Sequence, residues 1–174
     1  PSIKQALGEL KAEGCDALVV LSLYPQNALS TTGVVADKTL AALSALDWHP
    51  QTKLVGYYSA HLLYLEAIAA SIRAAGFDSS AGVKMIFAFH SIPVRDIRNG
   101  DDYEDKARAT ANAVARLLEL DVQDWALGFQ CRFDKARSRL DPFITDALQT
   151  LGAPPGRLFV VAPNFSIDCL ETLY

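Results

Sequence analysis

The sequence predicts an α/β fold in which a parallel sheet is covered by helices on both faces. Five short apolar runs of strand length alternate along the chain with segments of helical periodicity. Glycines, prolines and short polar residues mark the junctions between them. The third run, Met85–Phe89, has no polar alternation, which is typical of a parallel strand that is buried on both faces.

The first 78 residues hold two predicted strands and three predicted helices. Ser2 and Gln5 have the spacing of a capping box at the start of the first helix, and Gly14 ends that helix. Ala17–Leu23 is an apolar run with two adjacent valines, so we expect a buried strand there. A helix over Val35–Leu46 and a strand over Lys53–Tyr58 follow. Ser59 can cap the next helix, which has Leu65 and Ile72 on its inward face and ends at Gly76.

The later residues hold three predicted strands and two predicted helices. Asp101 and Asp102 lie where the N-cap of a helix over Glu104–Leu120 belongs. Asp141 followed by Pro142 is typical of an N-cap and the first position of another helix. The predicted strands of this part are Met85–Phe89, Trp125–Phe129 and Arg157–Ala162.

The segment Gly76–Gly82 is loop-like and separates the first two strands from the last three. It predicts a partial first domain over residues 1–78 and a second domain over residues 79–174. A further predicted helix begins near Asp168, at the end of the second domain, and is cut short. Two strands make a poor independent sheet. We therefore expect the second part of the chain, missing chain segments or a second copy to complete the fold.

Composition and charge argue against several classes of function. The net charge is −4, the pI is near 5.3, and the Lys and Arg residues are scattered, which argues against a nucleic-acid partner. Cys15, Cys131 and Cys169 form no CxxC pair and are odd in number, which argues against a metal framework and a disulfide scaffold. No apolar run approaches the roughly 20 residues of a membrane-spanning helix. We expect a cytoplasmic protein without a transmembrane segment, and peripheral membrane association stays open.

Four of the five predicted strands end in polar segments, and parallel strands bring such ends to one edge of a sheet. His90 and Glu171 stand out there, because imidazole and carboxylate both bind divalent first-row metals and accept protons. Each also has a simpler interpretation. His90 is then an ordinary polar loop residue, and Glu171, three residues after Asp168, completes a capping box. The four segments are Tyr24–Gly33, His90–Tyr103, Gln130–Arg132 and Asn164–Glu171.

Other polar side chains in the same segments are candidates for binding a ligand. Their clustering at strand ends favours a binding role, with simple turn and cap roles as the alternative. No GxGxxG, GxxxxGK[ST] or GxSxG pattern occurs, so neither a nucleotide site nor a serine nucleophile is predicted. The clustered side chains are Tyr24, Asn27, Ser30, Thr31, Thr32 and Arg132, of which Tyr24, Ser30, Thr31 and Arg132 are the candidate contacts.

Four motifs occur in a fixed order across nearly the whole chain. They are Leu23–Gln26 with Ser30–Gly33, His90–Pro93 with Gly100–Tyr103, Phe129–Arg132, and Asp168–Tyr174. Taken together, they make the chain resemble the ferrochelatases, the enzymes that insert ferrous iron into a porphyrin. The order of the four motifs carries this resemblance, because no single one of them is specific.

The resemblance implies a chelatase-like fold of two similar Rossmann-like domains with a porphyrin held in the cleft between them. It implies that His90 and Glu171 are the catalytic pair, which jointly bind the metal and accept the pyrrole protons. Fe(II) is then a substrate, and no tightly bound cofactor is implied. The candidate porphyrin contacts are Tyr24, Ser30, Thr31 and Arg132.

Ferrochelatase-family chains are longer at both ends, so the resemblance also implies a truncated chain whose own activity is impaired. Two alternatives stay open. One is a chelatase for another tetrapyrrole or another metal. The other is a non-catalytic tetrapyrrole-binding module, which three departures from the family pattern favour: Ala88, Cys131 and Asp134.

Overall fold

Helices and parallel strands alternate along the chain in a computed structural model that describes residues 2–79, 82–131, 138–152, 156–167 and 169. The predicted α/β class is confirmed. The loop after the first strand contains one π-helical turn, Leu29–Gly33. The elements are α1 Ile3–Ala12, β1 Ala17–Leu21, α2 Val34–Ala45, β2 Gln51–Val55, α3 Leu62–Ala74, β3 Lys84–His90, α4 Val94–Arg98, α5 Tyr103–Leu117, β4 Trp125–Gln130, α6 Ile144–Thr150 and β5 Leu158–Val161.

The described strands form two parallel sheets. β1 pairs with β2, and β3 lies between β4 and β5. In the second sheet the register sets Phe87 opposite Leu127 on one side and opposite Val161 on the other. Because all three strands run in the same direction, their carboxyl ends lie at one edge of the sheet.

β3 is the centre of the core, and its residues from Met85 to Phe89 have no exposed surface. Phe87 and its neighbours on one face pack in a cluster with side chains of α3 and α5. Ile86 and Ala88 on the other face pack against Ala147 and Leu151 of α6. Alternate residues of a strand point to opposite faces, so an uninterrupted apolar run is what a strand covered on both faces requires.

Gly128 of β4 lets α6 lie close to the sheet. A Cβ at this position would lie 2.7 Å from the Cα of Ile144. The glycine is therefore required by the approach of two backbones rather than by an unusual backbone angle.

The expectation that Ala17–Leu23 is a buried strand is wrong for four of its seven residues, which are exposed. Leu18 is buried, but Val19 is 66% exposed and Leu21 is 53% exposed. The physical reason is that α1 and α2 cover one face of β1, in a small cluster with Leu7 and Leu43. Within the described ranges, the opposite face is left largely uncovered.

α6 begins later than the Asp141-Pro142 pattern predicted. Phe143 is the N-cap residue, in an extended conformation, and the helix starts at Ile144. The carbonyl oxygen of Pro142 accepts a hydrogen bond from the Phe129 backbone N–H at 2.8 Å, and Phe143 forms a parallel bridge with Phe129. Pairing with the end of β4 therefore keeps this segment extended, so α6 begins only after Phe143.

No helix in the part of the chain that the structure describes combines the length and apolarity needed to cross a bilayer.

Candidate active site

One cavity of about 500 Å³ lies at the carboxyl ends of the strands. The loop after β1, the loop after β3 and the exit of β5 all contribute to its wall. This volume lies within the roughly 300–1,000 Å³ of small-molecule sites. Four of the side chains predicted as site residues line it: Tyr24, Ser30, Thr31 and His90.

His90 is the last residue of β3 and is half-buried. Its carbonyl oxygen accepts a hydrogen bond from the Tyr103 hydroxyl at 2.8 Å. Its ring Nδ1 lies 3.7 Å from the Sγ of Cys131. Cys131 directly follows Gln130, the residue of β4 that lies opposite His90 of β3. Cys131 has a φ of 70°, an uncommon value for a residue with a Cβ. The buried strand and its neighbour thus hold the imidazole from both its backbone and its ring.

The residue after His90 is also held firmly. Ser91 is fully buried, and its Oγ accepts a hydrogen bond from the Leu140 backbone N–H at 3.0 Å. Its carbonyl oxygen accepts one from Nη1 of Arg139 at 3.2 Å. Arg139 itself lines the cavity. The segment before α6 therefore forms part of the wall beside the histidine.

The loop after β1 is ordered by its own hydrogen bonds. Thr31 Oγ1 accepts from the Ala28 backbone N–H at 3.2 Å. Ser30, in contrast, is exposed at the cavity wall. The Thr31 hydroxyl thus has the turn role that sequence reasoning held open for it, and Ser30 has the more accessible hydroxyl of the two.

Asp101 joins this loop to the start of α5. Its Oδ2 accepts from the Leu29 backbone N–H at 2.7 Å, and its Oδ1 accepts from the Tyr103 backbone N–H at 3.0 Å. Asp101 is 7% exposed. The N-cap position of α5 belongs to Asp102, whose side chain makes no capping bond. A buried carboxylate between two backbone donors thus connects the two polar loops of the site.

Two tyrosines keep their protons: Tyr103, which is buried on the wall of the cavity, and Tyr64 of α3, which is half-buried. Burial raises the pKa of Tyr103, and the negative charge of Asp101 raises this pKa further. Burial also raises the pKa of Tyr64. Both hydroxyls stay protonated and act as donors, Tyr103 to the His90 carbonyl and Tyr64 to the carbonyl of Pro163.

Comparison with known proteins assigns the chain to a family. A profile of the family described as ferrochelatase matches residues 1–174. The chain belongs to the ferrochelatase family.

Individual ferrochelatases match over 99% of this chain. Those of Nitrosococcus oceani and Aromatoleum aromaticum are each 38% identical to it, and the match covers 47% of each relative. The ferrochelatase of Methylococcus capsulatus is 39% identical, with 53% of its length covered. The chain thus spans about half the length of the curated ferrochelatases it matches.

Two of the residues that the ferrochelatase resemblance implicates, Arg132 and Glu171, lie outside the described residues. Within the described ones, no three His, Cys, Asp or Glu side chains lie close enough together to hold a metal ion. The pairing of His90 with Glu171 therefore stays a prediction.

Sequence reasoning did not single out several side chains of the ferrochelatase cavity. Gln26 and Asn164 line it, are nearly fully buried, and each has a side-chain oxygen without a partner among the described residues. Both lie in the polar strand exits, which was the available signal. Arg139 follows no recognisable pattern, and no signal in the sequence separates it from its neighbours.

Proposed function

We propose that this chain is part of a ferrochelatase that inserts Fe(II) into a porphyrin in haem biosynthesis. The observation that carries the proposal is the position of His90, at the end of a fully buried strand and on the wall of the cavity. A rigid strand is a suitable support for a group that must meet a substrate in one geometry.

His90 and Glu171 are proposed as the catalytic pair. Insertion requires removal of two pyrrole protons and a weak hold on the metal before transfer. A neutral imidazole can accept a proton or bind a divalent metal, and a carboxylate can do either as well. The two residues are assigned to these tasks jointly. Fe(II) is a substrate in this proposal, and no tightly bound cofactor is required.

Three of the proposed porphyrin contacts belong to the loop after β1 and line the cavity that His90 also lines. Tyr24 and Ser30 line the cavity on the side of the loop after β1, with Thr31 beside them. Arg132 is retained as a proposed partner for the ring edge or its carboxylates, because a guanidinium suits planar anions.

We further propose that residues 1–78 and 79–174 belong to two chelatase domains. The separation of β1 and β2 from the other strands supports this division. α3 of the first part nevertheless packs into the core around β3. Since the chain spans about half of its relatives, we propose that further segments or a second copy complete the cleft, and that the 174 residues alone insert metal poorly. We propose a cytoplasmic location, with peripheral membrane contact left open.

Replacement of His90 tests the proposal. In the full-length protein, His90→Ala should lower the rate of Zn²⁺ or Fe(II) insertion into a soluble porphyrin by at least about 100-fold, the usual contribution of general acid–base catalysis. The rate is followed by the change in porphyrin absorbance. His49→Ala is the matched control, because the His49 side chain is 81% exposed and pairs only with Asp47 among the described residues. A folded His90→Ala variant with wild-type turnover would refute the assignment.

A non-catalytic tetrapyrrole-binding module is the second candidate, and the contact between Cys131 Sγ and His90 Nδ1 favours it. This contact occupies one of the two ring nitrogens that could accept a proton or bind a metal. A full-length protein that shifts the absorbance of a bound porphyrin but inserts no metal would support this alternative. A chelatase for another metal would instead insert Co²⁺ or another divalent ion faster than Fe(II) in a competition assay.

A further inference from the structure

We infer that Arg139 forms a carboxylate-binding subsite on the cavity wall beside His90, an inference that rests on the proposed function. The expected ligand group is a carboxylate at the periphery of the macrocycle. The inference depends on the way Arg139 is held and on the charges around it.

Arg139 is fixed close to the histidine by backbone contacts. It forms an antiparallel bridge with Pro93, and the Val94 backbone N–H donates to the carbonyl oxygen of Ser138 at 3.0 Å. Its Nη1 donates to the carbonyl oxygen of Ser91 at 3.2 Å. The guanidinium is therefore held one residue beyond His90, with little freedom to leave the wall.

The positive charge of Arg139 is not compensated by the described part of the chain. It forms no ion pair with any carboxylate there, and its Nε is buried without a hydrogen-bond partner. Two further charged side chains among the described residues of this wall, Arg95 and Asp96, neutralise each other, since Arg95 Nε lies 3.4 Å from Asp96 Oδ1. A half-buried cation without a counter-charge is unfavourable, and an incoming anion relieves this.

The donor inventory points to the same class of ligand. A guanidinium carries five N–H donors in a planar fork, and within the described residues Arg139 uses only its bond to Ser91. The fork matches the two oxygens of a carboxylate. The cavity that Arg139 lines is large enough for a small-molecule ligand, at about 500 Å³.

The test compares a porphyrin that bears two free carboxylates, mesoporphyrin, with its dimethyl ester. Both are titrated into the full-length protein in the same detergent, and the dissociation constants are read from fluorescence quenching. Arg139→Met should weaken binding of the diacid by about 10- to 100-fold, as expected for a charged hydrogen bond. Binding of the diester should be unchanged. Arg139→Lys should lie between wild type and Arg139→Met, because it keeps the charge and loses the fork.

Arg98→Met is the matched control, because Arg98 is an exposed arginine of α4 outside the cavity wall. Its diacid affinity should stay within about threefold of wild type, the limit set by a weak surface charge effect. Equal loss of diacid and diester in Arg139→Met would overturn the inference, because Arg139 would then act only by holding the loop. Unchanged diacid affinity would overturn it as well. If the wild type binds neither porphyrin, the proposed function fails and the inference falls with it.

Discussion

β1 and β3 are both apolar strands that lead into a polar loop of the cavity, yet they differ sharply in burial. The five residues from Met85 to Phe89 are all 0% exposed, whereas Val19 and Leu21 of β1 are 66% and 53% exposed. β3 has a strand on each side and helices on both faces. β1 has one described partner strand and a helical layer on one face. An apolar run thus shows which side chains a strand could bury. The elements packed around the strand determine which of them are buried.

The difference in burial between β3 and β1 should have its largest effect on the free energy of unfolding when single side chains are truncated. Phe87→Ala removes a fully buried ring and should lower the free energy of unfolding by about 3–5 kcal/mol. Val19→Ala, in the exposed face of β1, should change it by less than about 0.5 kcal/mol. Urea unfolding followed by far-UV circular dichroism measures both. A large loss for Val19→Ala would mean that the outer face of β1 is covered in solution.

Two glycine substitutions, one within β4 and one just after β2, test the same contrast at the level of the backbone. Gly128→Ala places a methyl group 2.7 Å from the Ile144 Cα and should destabilise the chain by about 1–3 kcal/mol. Gly56→Ala, just after β2, meets no atom within 4 Å. It should be neutral, or stabilising by up to about 1 kcal/mol. Equal effects in thermal unfolding would show that α6 does not press on β4.

Asp101 connects the loop after β1 with the start of α5, and its replacement tests how much this connection stabilises the fold. Asp101→Asn turns one acceptor into a donor that faces a backbone N–H, so we expect a loss of about 1–2 kcal/mol. The amide of Leu29 should also exchange faster with deuterium, because it donates to Asp101.

Asp102→Asn is the control for Asp101, since Asp102 is more than half exposed and pairs with Lys106 on the same helix. It should leave the Leu29 amide protected. Equal exchange of this amide in the two variants would contradict a link through Asp101.

Alkaline pH should weaken the β3 region through Tyr103. Burial raises the pKa of Tyr103 above its ordinary value of 10.0, so above that pH the unfolded chain releases a proton that the folded chain retains. The stabilisation is complete below pH 10 and falls as the pH rises, by about 1 kcal/mol per such tyrosine between pH 10 and 11.

Tyr103→Phe should make this alkaline fall less steep in urea unfolding at several pH values. Tyr24→Phe, which alters a 43% exposed ring at the end of β1, should leave the slope unchanged. An identical slope in wild type and Tyr103→Phe would argue against the burial of this hydroxyl in solution.

Much of the fold was predictable from local patterns. The alternation of strands and helices, the central place of Met85–Phe89 and the position of His90 at a strand end all follow from periodicity and from turn residues. The burial of β1 and the start of α6 were not predictable in this way. Both depend on partners distant in sequence, such as the hydrogen bond that holds Pro142 against Phe129.

The sequence by itself determined the order of the elements, the family, and which strand ends carry polar groups, because these are recorded in short stretches of neighbouring residues. Only the tertiary structure decided which of these groups meet. Asp101 binds the backbone of Leu29 across 72 positions, and Arg139 binds Ser91 across 48. Such contacts depend on how sheets and loops pack in space, so the spacing of apolar residues along the chain does not predict them.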